Sequence, residues 1–220
     1  MCFIIVKPQG VVLANEKIQR VLEKRFSNPD GVGYAIRQGR VVRWNKGLSI
    51  PDNELSSLLS EAEVEVVLHF RAASSGPVES RMCHPFLISA ARSIFKITGK
   101  LQSGEALLFH NGVLAYGHAA DKLGVSDTAF LAFGLSRLLT EDPHRVRKND
   151  WAEVRSFLAA HLTQRFVLVL PSATYVAGQW HRWEGCWISS PVEYATYTYD
   201  PRRGGAKGYE YWREKHWGLF

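Results

Sequence analysis

The chain places an apolar run at its very start: in "MCFIIV", Phe3, Ile4, Ile5 and Val6 follow directly behind Cys2. Aromatic and β-branched residues with no polar interruption read as a buried strand. Most chains begin with solvated, frayed residues, so a core strand opening at position 3 is unusual, and it puts Cys2 at the strand's mouth. Methionine aminopeptidases remove Met1 when the second residue is small, as cysteine is. Removal leaves one residue carrying both a thiol and a free α-amine, a nucleophile with a base attached.

Behind this strand, "NEKIQRVLEKRF" (15–26) sets Ile18, Val21 and Leu22 on one face and predicts an amphipathic helix. "SNPDGVGYAI" is a turn entering a strand, and "RQGRVVRW" continues it as a hairpin through Gln38 and Gly39. "SIPDNELSSLLSEA" predicts a second helix with Pro51 near its start. "EVVLHFRAAS" and "ALLFHNGVLAYG" are further strands, the latter with a sharp turn inside it. "SDTAFLAFGLSRLL" is a helix headed by the N-terminal cappers Ser126, Asp127 and Thr128, and "DWAEVRSFLAAHL" is another. "RFVLVLPSATYVAGQW" and "GCWISS" complete a second set of strands. Strands and helices come in blocks without a repeat, which indicates an α+β layered fold with antiparallel sheets.

Composition narrows the function classes. No apolar run approaches the roughly 18 residues of a membrane span, and no basic n-region leads into an apolar h-region, so the expectation is a cytoplasmic protein. Three cysteines, Cys2, Cys83 and Cys186, are too few and too scattered for a disulfide framework, and none forms a CxxC pair for zinc. His118, His161 and His181 lack metal-ligand spacing. No phosphate-binding glycine motif is present, and neither a metal nor another cofactor is expected. A formal charge of +6 permits contact with nucleic acid or another acidic partner. The basic residues gather in 137–165 and 202–215, and "GAKGYEYWREKHW" could serve as a stacking platform or could pack on the parent domain.

Four stretches end strands or start helices, where loops carry chemistry: "NPDGVG" (28–33), "HFRAASSG" (69–76) with "CHPF" (83–86), "FHNG" (109–112) and "SDT" (126–128). A cysteine attacking an amide needs a proton acceptor, an oxyanion site and a grip on the substrate. A free α-amine can act as the base. An asparagine side chain with a glycine N–H in a tight turn can hold an oxyanion, and "HNG" supplies both. An arginine fork can grip a carboxylate and an aspartate an ammonium, which together suit a free amino acid.

Taken in order, these motifs resemble the class II glutamine amidotransferases, whose glutaminase domain belongs to the N-terminal-nucleophile hydrolases. The resemblance runs from Cys2 through "SDT", and the later "RFVLVLPSATYVAGQWHRWEGCWISS" is similar to the final sheet of small free-standing members. It implies a four-layer αββα sandwich with two mainly antiparallel sheets over residues 1–190, followed by an aromatic and basic extension at 191–220. It assigns Cys2 as nucleophile with its own amine as base, and Asn111 with the Gly112 N–H as oxyanion hole. Arg71 would hold the α-carboxylate of glutamine and Asp127 its α-ammonium. Ser74 and Ser75 stand where the family makes further carboxylate contacts, and His84 is placed with the substrate pocket. The implied reaction releases ammonia through a γ-glutamyl thioester, for use by a separate synthetase on another chain.

The sequence departs from the family pattern at Ala72, Ser75, Met82 and Ser27-Asn28, positions that wall the pocket. Hydrolysis of a different amide is therefore an alternative, as is a non-catalytic module binding nucleic acid or an acidic partner. Each residue also has a structural reading: Cys2 as a small buried hydrophobe, Arg71 as an ion-pair partner, Asp127 as a helix cap, Asn111-Gly112 as an ordinary turn. His84 and His110 read as structural, because the α-amine removes the need for a histidine base.

Overall fold

The computed structural model describes residues 2–141 and 150–192. Residues 193–220 of the expected 191–220 extension, and 142–149 within the basic segment 137–165, lie outside the described residues. Strand β1 (Phe3–Lys7) is buried at every position and sits between two antiparallel neighbours, which is why its sequence shows no alternation. Those neighbours are β4 (Glu65–Phe70) and β11 (Cys186–Ile188). The sheet continues outward from β4 through β2 (Val32–Gln38) and β3 (Val41–Gly47) to β6 (Thr98–Lys100), and beyond β11 to β10 (His181–Trp183). A second, four-stranded antiparallel sheet has the order β5 (Phe86–Ile88), β7 (Ala106–Asn111), β8 (Arg165–Val169), β9 (Thr174–Ala177).

Side-chain alternation along the strands divides the interior into three apolar clusters. Phe3, Ile5, Val66, Leu68 and Phe70 face α1 (Asn15–Leu22) and α3 (Asp52–Ser60), meeting Ile18, Val21, Leu22, Leu55 and Leu59. Ile4, Val6 and Val67 point the other way, into a cluster with Leu107, Phe109, Val167 and Val169 of the second sheet. The outer face of that sheet, with Leu108, Phe166 and Leu168, is covered by α5 (Asp127–Glu141) and α6 (Asp150–Ala159) through Ala129, Ala132, Leu135 and Leu158. The fold is thus mixed α+β with two antiparallel sheets and helices packed against each.

Several expectations are refined. The helix expected over 15–26 breaks at Glu23, and a short α2 (Lys24–Ser27) follows. Across this break Lys24 turns inward, its Nζ donating to the Pro191 carbonyl at 2.8 Å and lying over the Phe3 ring. The β2–β3 turn falls on Gly39-Arg40 rather than Gln38-Gly39, since Gln38 pairs with Val41. The late strands do not form one set: β8 and β9 complete the second sheet, whereas β10 and β11 return to the first, beside β1. A helix α4 (Gly117–Lys122) and the three-residue strands β5 and β6 were not expected.

Candidate active site

β1 and β7 are central strands of the two sheets, and Cys2 and Asn111 lie at ends of them that meet. Asn111 Nδ2 donates to the Cys2 carbonyl at 2.6 Å and to Ser189 Oγ at 2.9 Å. Ser189 Oγ also accepts the Ile4 N–H at 2.8 Å, so one hydroxyl just past β11 fixes both the nucleophile's strand and the asparagine. Asn111 Oδ1 is buried and has no hydrogen-bond partner among the described residues. Both Asn111 amide hydrogens are therefore committed at rest, and one must be shared or released when an oxyanion forms.

The Cys2 thiol, half-buried, rests on the chain leaving β4. Its Sγ lies 3.4 Å from both the Ala72 N–H and the Ala72 carbonyl oxygen. Burial, the largest influence, pushes the thiol above its ordinary range, while the Ala72 contact and the Arg71 charge pull it down and Asp127 pushes it up. A thiol held protonated needs a base before it can attack.

The segment from Arg71 to Pro77 is shaped by its own arginine. Arg71, 2% exposed, donates from Nη1 to the Pro77 carbonyl at 2.9 Å and from Nη2 to the Ser75 carbonyl at 3.0 Å. The "NPDGVG" turn clamps the same segment: Asp30 Oδ2 accepts the Ala73 N–H at 2.7 Å, and Asp30 N–H donates to the Arg71 carbonyl at 3.0 Å. Gly76, at φ +69°, presses on the start of α5; a Cβ there would lie 2.6 Å from the Ser126 nitrogen. Ser75 ties the segment to the helix, its Oγ accepting the Asp127 N–H at 3.2 Å. Ser74 is exposed and makes no hydrogen bond among the described residues.

Asp127, 5% exposed, is not the cap of α5. Ser126 Oγ caps it by accepting the Ala129 N–H at 3.2 Å. The Asp127 carboxylate instead accepts the Leu114 N–H at 2.8 Å and the Thr128 N–H at 2.7 Å. Leu114 lies two residues past Gly112, so Asp127 holds the chain emerging from the "HNG" turn. Gly112 has φ +153°, a backbone conformation that favours glycine, and a Cβ there would fall 1.8 Å from Gln164 Oε1 and 2.9 Å from His110 Nε2, so any larger residue must displace the Gln164 side chain. Among the described residues no carboxylate pairs with Arg71 and no cation pairs with Asp127.

His84 lies in the core, its ring centroid 4.1 Å from that of His69 and 5.0 Å from Phe86. Among the described residues none of the four ring nitrogens of His69 and His84 makes a well-formed hydrogen bond, though the His110 backbone lies close enough to favour the charged His69 ring. Burial pulls His84 well below the ordinary histidine range and His69 down to about 3, and Arg71 and His110 push His84 the same way. Beside them Lys46 donates to the Pro85 and Arg81 carbonyls, and burial lowers it to about 7. Among the described residues no group of His, Cys, Asp and Glu is arranged to hold a metal ion, and no helix is long and apolar enough to cross a membrane.

The structure thus gathers Cys2, Asn111, Gly112, Arg71, Ser75 and Asp127, leaves Ser74 outward, and sets His84 against His69. Sequence reasoning missed Ser189, the clamp made by Asp30, and Gln164 behind the "HNG" turn. Ser189 is 185 positions from the amide it accepts, and nothing local marks it.

No family model matches the chain, and no curated protein does. Among solved structures, the chain is similar to the glutamine phosphoribosylpyrophosphate (PRPP) amidotransferase from B. subtilis, in a complex with ADP and GMP. The TM-score is 0.52 at 14% identity, over 86% of this chain and 41% of that one, so the chain spans about two fifths of that protein's length. At this identity the likeness is one of fold, shared with part of that amidotransferase.

Proposed function

We propose that this protein is a glutamine amide hydrolase of class II amidotransferase type, with the three apolar clusters read as the interfaces of a four-layer αββα sandwich. The observation that carries the proposal is the pair Arg71 and Asp127. Two buried opposite charges sit either side of Ser75, one donating to its carbonyl and the other's backbone bonded to its hydroxyl, without pairing to each other or to any described residue. Each is held by neutral groups alone, which leaves part of the cost of burying a charge in place, and a zwitterionic α-amino acid would supply a charged partner to both at once. The fold shared with a glutamine-dependent amidotransferase supports glutamine as that amino acid.

On this reading residues 1–190 form the glutaminase unit and 191–220 an extension. Removal of Met1 frees the Cys2 α-amine, which takes the thiol proton through a water. Sγ then bonds to the side-chain amide carbon of glutamine, and the carbonyl electron pair moves onto oxygen. Asn111 Nδ2 and the Gly112 N–H would stabilise that oxyanion, the amide giving up part of its bond to the Cys2 carbonyl. Collapse breaks the C–N bond, the amine's proton leaves with the ammonia, and water hydrolyses the thioester to glutamate. Arg71 holds the α-carboxylate, with Ser74 and Ser75 on the same segment, and Asp127 holds the α-ammonium. His84 supports this pocket from beneath, and the ammonia passes to a separate synthetase in the cytoplasm. The test is ammonia release from glutamine, with asparagine and other amides alongside. Turnover of glutamine that disappears in Cys2→Ala supports the reading; no release from glutamine by folded, Met1-free protein overturns it.

A further inference from the structure

Neighbouring residues on β7 face opposite ways: Asn111 turns between the sheets toward Cys2, and His110 turns toward the helices. The His110 ring is stacked on Phe166, with centroids 4.5 Å apart and 19° between planes. Its Nε2 lies 2.9 Å from Gln164 Oε1 and its Nδ1 2.8 Å from Thr128 Oγ1. Thr128 Oγ1 is in turn 3.2 Å from Asp127 Oδ1. A row of polar atoms therefore runs from Gln164 through His110 and Thr128 to Asp127. Its near end abuts the oxyanion turn, because Gln164 Oε1 and His110 Nε2 are the atoms a Cβ on Gly112 would strike.

Donor and acceptor roles along this row are coupled. An amide oxygen only accepts, so Nε2 carries the hydrogen. A bare Nδ1 accepts the Thr128 hydroxyl hydrogen, and Asp127 Oδ1 is then left with the Thr128 N–H at 2.7 Å and lone pairs to spare. A protonated Nδ1 donates to Thr128 Oγ1 instead. The single hydroxyl hydrogen must then turn onto Asp127 Oδ1.

We propose that His110 is a positioning residue for the α-ammonium of glutamine, acting through the Thr128 hydroxyl. A neutral His110 leaves Asp127 free to take the ammonium; a protonated one turns the hydroxyl onto Asp127 and weakens that grip. This rests on the glutaminase reading, and it gives glutamine binding an acid limit set away from the nucleophile. The groups facing His110 are Asp127 of α5, which favours the charged ring, and His161 between α6 and β8, which disfavours it. His69 of β4 and His84 before β5 are close enough to feel its charge. Burial, the largest influence, holds His110 below the ordinary histidine range.

The test pairs Thr128→Val, which removes the hydroxyl at nearly constant volume, with Thr128→Ser, which keeps it. The His110 imidazole is titrated by NMR, and kcat and KM for glutamine are followed from pH 8 down to pH 5. In the unsubstituted protein the Nε2–H tautomer is expected, with KM rising as His110 gains its proton and kcat following the Cys2 amine instead. Thr128→Val should move the His110 titration to lower pH by about one unit, the effect of losing one hydrogen bond to a charged ring, and should flatten the KM limb, since no hydroxyl remains to turn onto Asp127. Thr128→Ser should restore both. An unchanged His110 titration and KM limb in folded Thr128→Val overturns the proposal. If the valine variant does not fold, Thr128→Ala replaces it in the NMR arm: a lowered His110 titration supports the coupling and an unchanged one refutes it. A folded, Met1-free protein that releases no ammonia from glutamine refutes the glutaminase reading and the ammonium gating together, while the NMR arm still decides the relay.

Discussion

Acid should destabilise this protein through His69. Its ring is fully buried, neither nitrogen makes a well-formed hydrogen bond among the described residues, and its folded-state value is pulled from the ordinary 6.5 to about 3, chiefly by burial, against a backbone contact at His110 that favours the charged ring. The unfolded chain takes up a proton near pH 6.5 while the folded chain does not, so stability falls as pH drops below 6.5 and stops falling near 3. Each pH unit in that window lowers stability by about 1.36 kcal/mol for one such group, so acidification to pH 4.5 removes about 2.7 kcal/mol through His69 alone. That is a large share of a typical total of about 5–15 kcal/mol. His84 and His110, also held below the ordinary range by burial, act in the same direction. Urea unfolding at pH 7.5, 6.5, 5.5 and 4.5 reads the slope, and His69→Phe isolates one contribution. Because no ring nitrogen of His69 makes a well-formed hydrogen bond among the described residues, phenylalanine forfeits little bonding there, whatever its shape change does to the absolute stability. The variant's slope between pH 6.5 and 4.5 should be shallower by about 1.36 kcal/mol per unit. Equal slopes in the two proteins would refute the reasoning.

Further outcomes follow from the site. Asn111→Ala should lower kcat for glutamine by roughly 100–1,000-fold, the scale for an oxyanion donor, with thermal unfolding showing whether the loss of its bond to the Cys2 carbonyl also loosens β1. Arg71→Lys should raise KM more than it lowers kcat, because a point charge cannot replace the fork; it should also release the Ser75 and Pro77 carbonyls, readable as faster proteolysis of the 72–77 segment. Gly112→Ala should lower kcat and the melting temperature, since its methyl strains the turn and displaces Gln164 from His110. Ser189→Ala should cost about 1–3 kcal/mol in urea unfolding by leaving the buried Ile4 N–H without its acceptor.

Much of the scaffold is legible in the sequence where burial is extreme or one-sided. β1, β4, β7 and β8 are nearly continuous apolar runs because each is a paired strand in a sheet buried between layers. The helix faces of α1, α3 and α5 show in their apolar spacing. β6, "TGK", is exposed or half-buried throughout and carries no period, and the six residues of α4 are too few to show one. Sheet membership is not legible either: β10 and β11 follow β9 closely in sequence, yet β11 finds its partner in β1, at the opposite end of the chain. The site divides the same way. Cys2, Arg71, Asn111 and Asp127 stand in short motifs at element ends, so their residue types identify them. Ser189 and Gln164 matter only through what the fold brings to them from 78 and 54 positions away. The cap of α5 was legible as a group of three residues, but its division was not: Ser126 caps, Asp127 holds the "HNG" exit and Thr128 meets His110.

The central claim, a Cys2 nucleophile with a free amine in a glutamine-shaped pocket, is tested most directly by intact-mass spectrometry before and after treatment with diazo-oxo-norleucine. The account predicts a chain lacking Met1 that gains a single covalent adduct, mapped to Cys2 and suppressed by excess glutamine. A chain lacking Met1 that gains no adduct on Cys2 would contradict it.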